Sequence, residues 1–153
     1  MKNKKIVLFS LKSCRYCRDM YPEWESFKQA YKKSETEIKN KYNTIVEIIE
    51  YDAELNNNET TAAGVKSFPT IIIIEDNKNK NFSSERTAVN FFRAVIPEAT
   101  YNDIQEWLNS VNYGNLATEV VNFGGLGKKS NYYRKYIKYK NKYIKIKKQL
   151  LFV

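Results

Sequence analysis

The stretch Phe9-Ser10-Leu11-Lys12-Ser13-Cys14-Arg15-Tyr16-Cys17-Arg18-Asp19-Met20-Tyr21-Pro22-Glu23-Trp24 carries both cysteines of the chain, with two residues between them. Upstream, Ile6 to Ser10 is a short apolar run of strand formers that ends at the cysteine loop. Ser13 stands where an N-cap is expected, opening a helix at Cys14. Cys17, Met20, Trp24, Phe27 and Tyr31 then recur at alternating steps of three and four, which is one helical face. Pro22 lies inside that face and predicts a kink, because it lacks the N–H and crowds the preceding turn.

A strand, a cysteine pair and a helix in this order suit redox chemistry. The spacing puts both sulfurs within one helical turn, close enough to join as a disulfide. The first cysteine meets the positive end of the helix macrodipole, where unpaired N–H groups stabilise a thiolate. Cys14 is then the expected nucleophile and Cys17 the thiol that resolves a mixed disulfide. Lys12 and Arg15 add positive charge beside Cys14, which predicts a lowered pKa and a more oxidising disulfide. Half a metal site, or two unrelated buried cysteines, are the other readings of the pair. The chain has two cysteines and no histidine, so His-based triads are excluded, as is a four-ligand Cys/His zinc site within a monomer. Zinc would need cysteine pairs from two subunits.

Outward from this segment the pattern continues as an α/β domain. Ile45 to Tyr51 reads as a second strand, Asp52 to Asn58 as a turn, and Glu59 to Ala63 as a short helix stopped by Gly64. The four isoleucines 71 to 74 suit a strand buried on both faces. Asn77 to Asn81 reads as a hairpin turn, Phe82 to Ser84 as a return strand, and Arg86 to Ile96 as a helix ending near Pro97. Thr100 with Asp103 resembles a capping box, and Ile104, Trp107, Leu108 and Val111 form the stripe of a last helix.

The segment around Cys14 and Cys17 resembles the active-site segment of the thioredoxin superfamily. Pro22-Glu23-Trp24 brings it nearest to the protein disulfide isomerase style. Val65-Lys66-Ser67-Phe68-Pro69-Thr70 is similar to the cis-proline loop of that family, and Phe82 to Thr87 is similar to its last strand and turn. The resemblance covers roughly residues 4 to 111. It implies a thioredoxin-like fold with a central mixed four-stranded sheet and helices on both faces. It also implies a protein disulfide oxidoreductase with no cofactor, acting on protein thiols and disulfides. The Ser67–Phe68 backbone beside Pro69 would pair with an extended substrate by strand addition.

Several positions depart from the family pattern. Ser13 replaces the Trp that thioredoxins carry before the first cysteine, and Arg15-Tyr16 replaces Gly-Pro. Tyr16 is instead reminiscent of glutaredoxins, although no Gly-Gly-x-Asp-like glutathione segment follows the proline strand. Leu8 stands where thioredoxins bury a proton-relay acid, which leaves proton transfer at Cys17 to water or to another group such as Glu50 or Asp52.

The net charge of +9 is uneven. Residues 128–153 hold ten Lys or Arg and no acid, leaving 16 basic and 17 acidic residues in the first 127. This divides the chain into a domain over 1–111, a Gly-containing linker over 112–127, and a basic Tyr/Lys-rich tail over 128–153. Lys129, Tyr132, Tyr136, Tyr139, Tyr143, Ile146, Leu150 and Val153 are spaced as a heptad seam. The tail therefore reads as a basic amphipathic helix built to meet an acidic partner: a protein surface first, then nucleic acid, then an anionic membrane. Its sequence resembles the Tyr/Lys-rich C-termini of giant DNA virus proteins. A virion-associated or adaptor module using the fold as a scaffold is the alternative function. No apolar run reaches the roughly 18 residues needed to span a bilayer. The N-terminus lacks a secretory pattern. The expected location is intracellular, or host cytoplasm or virion if the chain is viral.

Overall fold

The computed structural model describes residues 1–111 together with residues 142, 145 and 146. The expected linker and most of the tail lie outside the described residues. Lys142, Lys145 and Ile146 are helical and exposed.

The elements run β1 (Lys2–Ser10), α1 (Arg15–Tyr42), β2 (Thr44–Asp52), α2 (Asn57–Ala62), β3 (Thr70–Glu75), β4 (Lys78–Asn81), α3 (Ala88–Val95) and α4 (Tyr101–Asn109). The four strands form one mixed sheet in the order β2-β1-β3-β4. β1 runs parallel to β2 and antiparallel to β3, and β4 is antiparallel to β3. The central pairs Ile6–Ile73 and Leu8–Ile71 face one side, while Val7–Ile72 faces the other. This is why consecutive isoleucines suit β3: each face of the strand has its own apolar surroundings.

The larger core holds Ile6, Leu8, Ile71 and Ile73 against α1, α3 and α4. Trp24, Phe27, Phe91 and Phe92 are fully enclosed there, and Phe27 meets Phe92 edge-on at 4.9 Å between ring centroids. Burying one such ring contributes about 1.5–3 kcal/mol, so this aromatic cluster fixes α1 over the sheet. On the opposite face Val7, Phe9 and Ile72 form a smaller cluster, joined by Val65 and Phe68 from the loop after α2.

Several boundaries differ from the sequence expectations. β1, in contrast, begins at Lys2, almost at residue 1 as expected, and includes the apolar run from Ile6 to Ser10. Lys4 is buried within it and pairs with Glu75 at 3.3 Å, so a lysine occupies a position that periodicity reads as surface. α1 continues through Pro22 without interruption to Tyr42 and ends at Asn43, whose φ of 51° is a left-handed cap. The hairpin turn is Asp76-Asn77, not Asn77 to Asn81. Both residues have positive φ (50° and 60°), as a two-residue type I′ turn requires. The return strand is accordingly Lys78–Asn81, earlier than Phe82 to Ser84. α2 starts at Asn57, inside the expected turn, and α3 is shorter than expected because Thr87 caps it.

Candidate active site

The site forms where β1 ends. After Ser10 the chain makes a tight turn in which Cys14 N donates to Leu11 O at 3.1 Å. Cys14, not Ser13, is the N-cap of α1: its Sγ accepts from Cys17 N at 3.3 Å, and its backbone is extended. Ser13 stands one residue too early, in the turn itself. The cap is therefore a sulfur, and the N–H that satisfies the helix end also points at the group that would carry negative charge.

Both cysteines are free thiols, Cys14 half-buried and Cys17 wholly enclosed. Burial, reinforced by the hydrogen bond to Cys14, pushes the Cys17 thiol up to about 12. A hydrogen bond with the Leu11 backbone and the positive charge of Arg86 act in the opposite direction. Neutral, buried Cys17 below half-exposed Cys14 gives two chemically distinct thiols on one turn.

The second part of the site comes from the loop before β3. The Phe68–Pro69 peptide bond is cis, Pro69 is buried, and the Cys14 thiol donates to Phe68 O at 3.6 Å. Thr70 Oγ1 donates to Ser67 O at 2.7 Å, which holds the loop in shape. Ser67 is exposed beside the buried proline. Arg86, from the segment leading into α3, donates through Nη2 to Pro69 O at 3.2 Å. Thus three segments far apart in sequence, around residues 14, 68 and 86, meet at one end of the sheet.

The remaining sequence candidates sit as follows. Tyr16 projects outward with 70% of its surface exposed. Arg15 Nε lies 3.7 Å from Asp19 Oδ2 one turn along the helix, and Lys12 is exposed in the turn. Leu8 is buried in the core. Glu50, paired opposite Leu8 in β2, accepts from Trp24 Nε1 at 2.7 Å and from Lys28 at 2.8 Å. Asp52 accepts from Glu54 N at 3.0 Å and shapes its own turn. Arg86 is the site residue that sequence reasoning did not single out. Its position after a short return strand was the available signal, but its reach to Pro69 depends on the fold. Among the described residues, no group of three His, Cys, Asp or Glu side chains is arranged to hold a metal ion.

The Thioredoxin family model matches residues 1–96. The chain belongs to the thioredoxin family. No curated protein matches the sequence. Among solved structures, the first two thioredoxin domains of Saccharomyces cerevisiae Eps1p align over 63% of this chain and 35% of theirs, at 19% identity and TM-score 0.51. Human ERp44 aligns over 63% of this chain and 25% of its own, at 14% identity and TM-score 0.51. The first thioredoxin domain of mouse protein disulfide-isomerase A4 aligns over 65% of each chain, at 17% identity and TM-score 0.49. At these identities the likeness to Eps1p and ERp44 concerns the thioredoxin fold, and this chain spans less than two thirds of each structure. No helix among the described residues is long and apolar enough to cross a membrane.

Proposed function

We propose that this protein is a thiol–disulfide oxidoreductase acting on protein substrates, with Cys14 as nucleophile and Cys17 as resolving thiol. The observation that carries this reading is the asymmetry of the pair. Cys14 is half-buried at the N-cap with its sulfur bonded to Cys17 N, whereas Cys17 is enclosed and held protonated. In the reductive direction, the Cys14 thiolate attacks one sulfur of a client disulfide and the other client sulfur leaves as a thiolate. Cys17 gives up its proton and attacks Cys14 Sγ. The Cys14–Cys17 disulfide forms and the second client sulfur is released, so two electrons pass to the client. The oxidative direction is the reverse.

The same loop supplies a place for the client chain. Ser67 and Phe68 offer backbone groups beside Cys14, and an extended client segment would add to them as a strand. Lys12, Arg15 and Tyr16 border the nucleophile and are assigned to tuning its reactivity. A reduction assay on a disulfide-bonded protein, run with wild type and Cys14→Ser, tests the reading. The expected result is loss of turnover in the variant, and equal turnover would overturn it.

A further inference from the structure

Charge is distributed unevenly around the cysteine pair. Lys12 lies in the turn two residues before Cys14, while Arg15 and Arg18 each follow a cysteine directly. Arg18 N also donates to Cys14 O at 3.2 Å. Lys66 lies two residues before Phe68, whose carbonyl meets the Cys14 thiol. Arg86 holds Pro69 O and acts electrostatically on Cys17. Five cations are thus carried by the three segments that meet at Cys14. In those same segments the acids are Asp19, which pairs with Arg15 at 3.7 Å, and Glu85. Glu23, one turn further along α1, is directed to the N-terminus of α3, where it accepts from Ala88 N at 2.9 Å. Asp52 is engaged in its own turn.

We infer that this rim selects client segments whose cysteine is flanked by acidic residues, with Lys12 and Lys66 as specificity-determining residues. The inference rests on the oxidoreductase reading and adds the substrate class to it. A client strand laid along Ser67 and Phe68, with its cysteine at Cys14, brings the residues flanking that cysteine toward the exposed segments that carry Lys66 and Lys12. Carboxylates there are attracted, and lysines or arginines are repelled. Exposed charges of this kind act mainly on encounter, and they lose most of their effect once salt shortens the screening length to a few ångströms.

The test uses the full chain, reduced beforehand, in single-turnover reactions with two symmetric peptide disulfides. One peptide carries Glu on both sides of its cysteine and the other carries Lys. Each rate is divided by that of the same peptide with dithiothreitol, which removes the intrinsic reactivity of the disulfide. The normalised Glu/Lys ratio is expected to be about tenfold at low ionic strength and to fall toward one at high salt. In Lys12→Glu/Lys66→Glu the ratio should drop by more than about twofold, with Lys12→Gln/Lys66→Gln intermediate. A change in Cys14 reactivity scales both peptides alike, and the basic tail is present in every protein compared, so neither moves the ratio between variants. A wild-type ratio of one or less, or a ratio that the substitutions leave within twofold, overturns the inference while leaving the oxidoreductase reading intact. Equal rates for wild type and Cys14→Ser overturn both.

Discussion

The Sγ of Cys14 lies 3.6 Å from the carbonyl oxygen of Phe68, 54 residues further along the chain, and the thiol donates to it. Under the proposed function, that contact ties the chemical state of Cys14 to the loop that would bind the client. A thiol has a proton to give Phe68 O; a thiolate or a mixed disulfide has none. In the proposed reaction the Cys14 proton is lost, and Phe68 O then has its full acceptor capacity for a client N–H.

The two thiols should differ sharply in reactivity. With its pKa near 12, Cys17 is a thiolate in a fraction on the order of 10⁻⁵ of molecules at pH 7. Iodoacetamide at pH 7 to 8 is expected to alkylate Cys14 alone in the reduced protein, as read by peptide mapping. Comparable labelling of both would contradict the assigned burial. The sign of the linkage follows from the same shift. A thiol raised from 9.0 to about 12 stabilises the reduced fold below pH 9, and this contribution is lost as pH rises from 9 to 12.

Arg86 lowers the Cys17 pKa through its charge, so Arg86→Ala should raise it further. Resolution of a preformed Cys14 mixed disulfide is expected to slow several-fold near pH 7.5. The pH profile of that step should move upward, converging with wild type at high pH. An unshifted profile would show that Arg86 only braces the loop through Pro69.

Tyr31 accepts from Val46 N at 2.8 Å inside the core, joining α1 to β2. Tyr31→Phe keeps the ring and strands a buried N–H, which costs about 1–3 kcal/mol. The urea midpoint should fall with little change in slope. An unchanged midpoint would mean that the amide finds another acceptor.

Asp103 receives Lys41 Nζ at 2.6 Å and the Tyr42 hydroxyl, and these bonds hold its carboxyl below the usual 3.8. A depressed carboxylate stabilises the fold above its unfolded pKa, and the contribution is lost as pH falls through the folded value. Asp103→Asn should therefore lower the melting temperature at pH 7 and make much less difference near pH 2. A pH-independent difference would assign the effect to packing alone.

The sequence showed most clearly those elements whose pattern follows from local chemistry. The α1 face from Cys17 to Tyr31 and the four isoleucines of β3 have the periods that their environments demand. Thr100 is equally readable as a cap, since it accepts from Asp103 N at 3.1 Å. What was hidden depends on partners. Lys4 looks like surface until Glu75 is placed beside it, and Arg86 looks like any loop arginine until Pro69 is within reach. Ser13 is a better N-cap than cysteine by propensity, but the tight turn from Leu11 delivers Cys14 to that place. The far end of α1 carries a weaker signal, since only Ser34 and Ile38 continue its buried face beyond Tyr31.

That helix has one more consequence. α1 carries the cysteine pair on its first turn, and the rest of its buried face serves as the surface on which α3, α4 and the sheet meet. Before they meet, nothing encloses Cys17, and the chain holds two ordinary, interchangeable thiols. Completing the domain creates the difference between them, so an unfinished or partly opened chain has the cysteines without that difference in burial.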